Sequence, residues 1–238
     1  MRISLAVFLF ILCFALPVYT LEKNHLFREA FDSLENWRPL SFPKIKSHTT
    51  YTVESTGKES YLKAESKSSA SGLVYKKTFS IYEYPKAKWR WRVDLFSLKG
   101  DPSKKSGDDY PIRVYFMFRY DPEKASFFEK MQYGLAKKIY GEYPPHSTLN
   151  YVWSYTDKIP DVLVSPFTDK ARIVVLRKGE RYRGQWIVEE VDVLADYRKA
   201  FGKNPPSTAG VAIMSDSDNT RGEAASSVDF LEVYRDAP

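Results

Sequence analysis

The chain is poor in the residues that usually carry chemistry. Of 238 residues, one is cysteine and three are histidine. The cysteine, Cys13, lies in an N-terminal apolar run, so residues 21–238 offer no disulfide, thiol nucleophile or cysteine metal site. His25, His48 and His146 are scattered, and no Gly-x-Ser-x-Gly elbow occurs. His146 and Ser147 are adjacent, which does not by itself make a Ser-His-Asp triad, and a zinc site lacks convergent ligands. No nucleic-acid-binding motif is present either.

What is present begins with a leader. Arg2 precedes an apolar run from Ile3 to Leu16, then Pro17 and Val18-Tyr19-Thr20. This pattern predicts a secretory signal at residues 1–20, cut near Thr20. An uncleaved anchor is the alternative, but the run is shorter than the roughly 18 residues that span a bilayer. Leu12, before Cys13, excludes a lipoprotein. A cysteine-free exported chain points to a bacterial periplasm. Loss of Arg2 lowers the formal charge from +6 to +5. The lysines lie among acids, as at Lys76-Lys77 and Lys104-Lys105, which reads as a solvated surface with weak attraction to anionic polymers.

The remainder is organised around Gly107-Asp108-Asp109-Tyr110-Pro111, an acidic turn that leads into the β-forming run Ile112 to Phe118. Short strands separated by turns, with no long helical period, predict a mainly β, jelly-roll-like antiparallel β-sandwich as a single domain over 21–238. Trp89, Trp91, Val93 and Leu95 alternate inward, with Arg90, Arg92 and Asp94 outward. That arginine face reads as an ion-pair ladder or as a contact for a ligand carboxylate or sugar hydroxyl. Along 113–120, Val114, Phe116, Phe118 and Tyr120 form one face and Arg113, Tyr115, Met117 and Arg119 the other. Two helices interrupt the β pattern. Asp121-Pro122 opens an amphipathic helix over 122–140, with Phe127, Phe128, Met131, Leu135 and Ile139 expected to pack on the sandwich. The second covers 192–201, stopped by Gly202.

Three polar clusters sit beside strands: Asp108-Asp109, Glu142-Tyr143-Pro144-Pro145-His146 and Asp216-Ser217-Asp218-Asn219. We expect them to meet at one end of the sandwich as a functional rim. Asp216 and Asp218 are the candidate calcium ligands, because calcium takes carboxylate and carbonyl oxygens. An EF-hand is excluded, since Arg221 and Ser227 occupy its glycine and terminal glutamate positions. Asp108 and Asp109 are too close in sequence to be the opposed carboxylates of a glycosidase, though one of them could act with Glu142, Asp216 or Asp218. Sugar binding asks less. Tyr110, Tyr143, Tyr151 and Trp153 would supply platforms and Asp109, Asn150 and Asn219 hydrogen bonds. Arg90, Arg92 and Arg113 would anchor an acidic group.

Five segments resemble one bacterial family, called domain of unknown function 3047. They are Ser-Ala-Ser-Gly-Leu at 69–73, Trp-Arg-Trp-Arg-Val at 89–93, Gly-Asp-Asp-Tyr-Pro-x-Arg-Val-Tyr at 107–115, the long motif from Tyr140 to Trp153, and Ser-Asp-Ser-Asp-Asn-Thr at 215–220. The resemblance implies an exported, single-domain protein and no assigned activity. One departure is Arg221, which stands between Asp-Asn-Thr and Gly-Glu. The reading from residues is a non-catalytic exported protein that binds a polar ligand such as a glycan. An enzyme on envelope polysaccharide and an envelope assembly protein, its basic helix touching a membrane or partner, are the alternatives.

Overall fold

The computed structural model describes residues 23–57, 59–123, 125–140 and 143–237. The expected leader and Glu142 lie outside them. Two sheets face each other. The six-stranded sheet runs β12 (Ile187–Asp192), β7 (Lys86–Phe96), β14 (Glu223–Asp236), β4 (Ser60–Lys67) and β3 (Thr50–Ser55). Its sixth strand, β1 (Lys23–Glu29), pairs with the second half of β14. The eight-stranded sheet runs β10 (Val162–Val164), β11 (Ala171–Lys178), β9 (Ser147–Ser154), β8 (Ile112–Phe118), β13 (Thr208–Asp216), β5 (Ala70–Tyr75) and β2 (Trp37–Leu40). The two residues of β6 (Phe79–Ser80) pair with the start of β13. The β9–β11 pair is parallel and the other pairs just named are antiparallel. The fold is thus a jelly-roll-like sandwich.

Alternation builds the core. Trp89, Trp91 and Val93 of β7 meet Phe116, Phe118, Tyr151 and Trp153 of the other sheet, all fully buried. Trp89 lies 5.5 Å from Tyr151 and Trp91 6.2 Å from Trp153, between ring centroids. Each large side chain so buried contributes about 1.5–3 kcal/mol. Leu95 breaks the expected pattern and is 43% exposed. The pairing of β7 with β14 steps from Val93–Ser226 to Leu95–Ala225, and this bulge at Asp94 turns Leu95 outward.

Helix α1 (Phe127–Tyr140) starts five residues later than the sequence pattern predicts. Asp121 instead closes an Asx turn, accepting from the Glu123 N–H at 3.0 Å. The start is a capping box: Glu129 Oε2 accepts from the Ser126 N–H at 2.9 Å and Ser126 Oγ from the Glu129 N–H at 3.3 Å. The expected packing is also reversed for Phe127, Phe128 and Met131, while the side chains of Leu135 and Ile139 lie outside the described ones. Phe127, Phe128 and Met131 are exposed, and the helix docks through Tyr133, whose ring stacks 3.8 Å from Tyr120. Helix α2 (Val193–Phe201) matches expectation. Asp192 caps it through the Ala195 N–H at 2.8 Å, and Gly202 ends it in the left-handed region at φ 68°. It crosses one end of the sandwich, with Tyr197 against Phe118 and hydrogen-bonded to Ser147 Oγ at 2.8 Å.

Candidate functional site

Antiparallel pairing of β8 with β13 places the turn before Ile112 beside the turn after Asp216. Two of the three clusters therefore meet, in a buried clasp. Asp109 accepts from Asn219 N at 3.2 Å and Nδ2 at 3.0 Å, and from Thr220 N at 2.7 Å. Asp216 accepts from Tyr110 N at 3.2 Å and from Arg113 Nε at 2.7 Å, and its second oxygen meets Arg113 Nη2. Arg113 Nη2 also donates to the Asp108 carbonyl at 2.7 Å, with Asp108 Oδ1 at 3.4 Å from Nη1. The guanidinium lies 4.4 Å from the centroid of the buried Tyr110 ring. Gly107 is required where it stands, because a Cβ there would fall 2.4 Å from the Asp101 carbonyl oxygen. Arg221 takes a left-handed φ of 53°, unusual for a side chain of that size, in the turn that closes the clasp.

Burial raises the carboxyls of Asp108, Asp216 and Asp218. Asp216 is pushed up to about 7, against the opposing pull of Arg113. Asp109, Asp216 and Asp218 each bring an oxygen within 4.8 Å of the others. These hard oxygens suit calcium, yet those of Asp109 and Asp216 already accept N–H bonds.

The third cluster does not join them. His146 precedes β9, whose first residue pairs with Phe118, so Tyr143 and His146 lie at the far end of β8. Seven residues at about 3.3 Å each put the two ends roughly 20 Å apart. The single rim is therefore replaced by two separate ends. His146 Nδ1 is 3.0 Å from Ser147 Oγ, but Ser147 is 3% exposed and also bound to Tyr197, which leaves no accessible nucleophile. Burial, then Lys203 and Lys170, lower the His146 pKa.

Several expected contacts are core instead. Tyr110, Tyr151 and Trp153 are fully buried and cannot stack on a sugar; Trp153 Nε1 donates to the Gly179 carbonyl at 3.1 Å. Asn150 is 3% exposed, on the outer side of β9 opposite Tyr115. Arg90 and Arg92 form the outward ion-pair face: Arg90 reaches Asp229 at 2.5 Å and Glu59 at 3.1 Å, and Arg92 reaches Asp94 at 2.8 Å.

The sequence reading missed a groove of about 660 Å³ across the outer face of the eight-stranded sheet. Tyr115, Met117 and Val74 form its floor, and Tyr120, Tyr143 and Pro144 line one end. Arg38, Lys76, Arg119 and Lys137 border it, and among the described residues no carboxylate does. Lys137 Nζ lies 4.5 Å from the Tyr143 ring centroid. Its signal was the second face of the 113–120 alternation, bulky and basic where a solvated sheet face is normally small and polar.

A family profile described as protein of unknown function (DUF3047) matches residues 35–232. The chain belongs to this family. No curated protein matches this DUF3047 member in sequence. Among solved structures it is similar to a family 11 carbohydrate-binding module of the cellulosomal cellulase Lic26A-Cel5E of Clostridium thermocellum. That match has 9% identity and a TM-score of 0.44, covering 91% of this chain and 96% of that one. Winged bean acidic lectin complexed with methyl-alpha-D-galactose matches at 10% identity and a TM-score of 0.38, covering 90% and 100%. The family GH12 endoglucanase 3 of Trichoderma harzianum matches at 8% and 0.37, covering 91% and 99%.

Proposed function

We propose that this chain is an exported, non-catalytic binding protein whose groove takes an extended glycan bearing acidic groups. One observation carries the reading: the groove combines the rings of Tyr115 and Tyr143 with Arg38, Lys76, Arg119 and Lys137, without a described carboxylate. Aromatic faces pack on the C–H faces of sugar rings, and guanidinium and ammonium groups bond hydroxyls and carboxylates. The site thus lies on the sheet face and not at the acidic turn.

Two features argue against turnover: the described lining of the groove has no carboxylate, and Asp109 is buried. Glycoside cleavage needs two carboxylates about 5–10 Å apart across the substrate. Asp109 is fully buried with three N–H bonds on its carboxylate, so it cannot reach a substrate to transfer a proton. In this reading the clasp is structural, its carboxyls held by Arg113, by N–H groups and by their raised affinity for protons, with calcium not required.

Electrophoresis of the purified protein through gels containing polygalacturonate or dextran tests the reading. Polygalacturonate should retard it, and Arg119→Ala with Tyr143→Ala should remove most of the retardation, a loss of about tenfold in affinity. Free migration in both gels would end the glycan reading. Retardation by dextran alone would keep the sugar and remove the acidic group.

A further inference from the structure

Helix α1 turns Phe127, Phe128 and Met131 away from the protein. At 100° per residue, Phe127, Phe128 and Met131 share one side of the helix, and Tyr133 lies roughly opposite. Tyr133 is the side chain the fold buries, while Phe127 and Phe128 are each 75% exposed and Met131 is 61% exposed. The two phenylalanine rings meet edge to face at 5.9 Å and project together. Among the described side chains of this helix the fold covers Tyr133 and leaves these three apolar ones free for something else.

The second observation is the place where the N-terminal residues join the fold. β1 begins at Lys23, paired with Asp236. Lys86 pairs with both Asp192 and Tyr234, so Lys23, Lys86 and Asp192 stand at one end of the six-stranded sheet. From Asp192, α2 crosses that end to reach the start of β13 in the other sheet. α1 belongs to the same end, since it connects the last residue of β8 to the first of β9, and those two residues pair. The 22 residues before Lys23 therefore join the chain at the end that carries the uncovered stripe, so the apolar run from Ile3 to Leu16, before it is cut or if it is kept, brings this end to the membrane.

We propose that this end of the sandwich rests on a lipid bilayer, with Phe127, Phe128 and Met131 entering the boundary between headgroups and acyl chains. Three side chains on a convex helix suit a fluid surface. A stable protein interface instead takes about 800 Å² from each partner and a complementary shape. Charge adds to the contact with anionic lipid, because Arg119, Lys130, Lys137, Lys170 and Lys203 stand at this end against Asp121, Glu123 and Glu129, while the three apolar side chains should enter neutral lipid as well. The contact is independent of the glycan reading.

The test uses the full chain with Cys13→Ser, carrying one new cysteine labelled with a polarity-sensitive fluorophore. One protein has Phe128→Cys and the other Leu95→Cys, an exposed position at the clasp end. With phosphatidylcholine vesicles, the label at 128 should shift to the blue and be quenched by lipids spin-labelled near the headgroup, and the label at 95 should do neither. Adding Phe127→Ser and Met131→Ser should abolish the shift at 128 without changing the melting temperature. An unshifted label at 128, or equal shifts at both positions, overturns the proposal. So does a shift in buffer that grows with protein concentration, which would assign the stripe to a second copy of the chain.

Discussion

The two ends of the sandwich are both rich in charged and aromatic residues, yet they treat them in opposite ways. At the clasp, Asp109, Asp216 and Arg113 are buried and find their partners inside the chain. At the α1 end, Arg119 is exposed without an ion pair among the described residues, and two phenylalanines face outward. The clasp looked more like a site in the sequence, because its acids are dense and adjacent. Satisfaction of polar groups, and not their density, separates a structural cluster from a surface that is free to bind.

The largest effect should come from Arg113→Ala, which leaves Asp216 buried without its ion pair. We expect a loss of about 3–5 kcal/mol in urea unfolding, with Arg113→Lys restoring only part, since an ammonium cannot make the bidentate contact. A loss below about 1 kcal/mol would remove the structural role of the clasp. Gly107→Ala comes next, at about 1–3 kcal/mol, because the new methyl group meets backbone and not a flexible side chain.

The pH dependence should differ in sign between the ends. The raised carboxyls of Asp108, Asp216 and Asp218 hold their protons more tightly in the folded chain than in the unfolded one. Their contribution is complete below the unfolded value of 3.8 and is lost as pH rises through the folded value, about 7 for Asp216. His146 is lowered from 6.5, so its contribution is complete above that value and is lost as pH falls. Unfolding measured across this range should show a slope of up to about 1.4 kcal/mol per pH unit from Asp216, removed by Asp216→Asn. His146→Gln should remove a smaller slope of opposite sign, as its ring is only partly buried. Arg119→Ala should change stability by less than about 0.5 kcal/mol while weakening polysaccharide binding. Smallest of all, calcium against a chelator should move the melting temperature by less than about 2 °C, and a larger rise would make the clasp a metal site.

Local pattern was legible in the sequence, and so was the fold class. The alternation of Trp89, Trp91 and Val93, and α2 with its Gly202 stop, follow from period and capping alone. Leu95 did not, because a one-residue bulge at Asp94 in its own strand reverses the parity beyond it. The α1 start was misplaced because Pro122 fits a first helical turn, whereas the reciprocal Ser126–Glu129 pair sets the real one. The meeting of the Asp108 and Asp216 turns, and the separation of His146 from both, depend on which end of a strand each loop adjoins. That follows from the antiparallel order of β8, β9 and β13, which residue type does not specify. The groove escaped notice because its cations come from four separate segments.

The place of β14 has a consequence for how the molecule is made. This strand, the last one described, lies between β7 and β4 and also pairs with β1, the first. Until residues 223–236 have left the ribosome, the six-stranded sheet lacks its middle, and β1, β4 and β7 have no common neighbour. Closure of that sheet therefore waits for residues 223–236. A chain truncated before Val228 should never close its core.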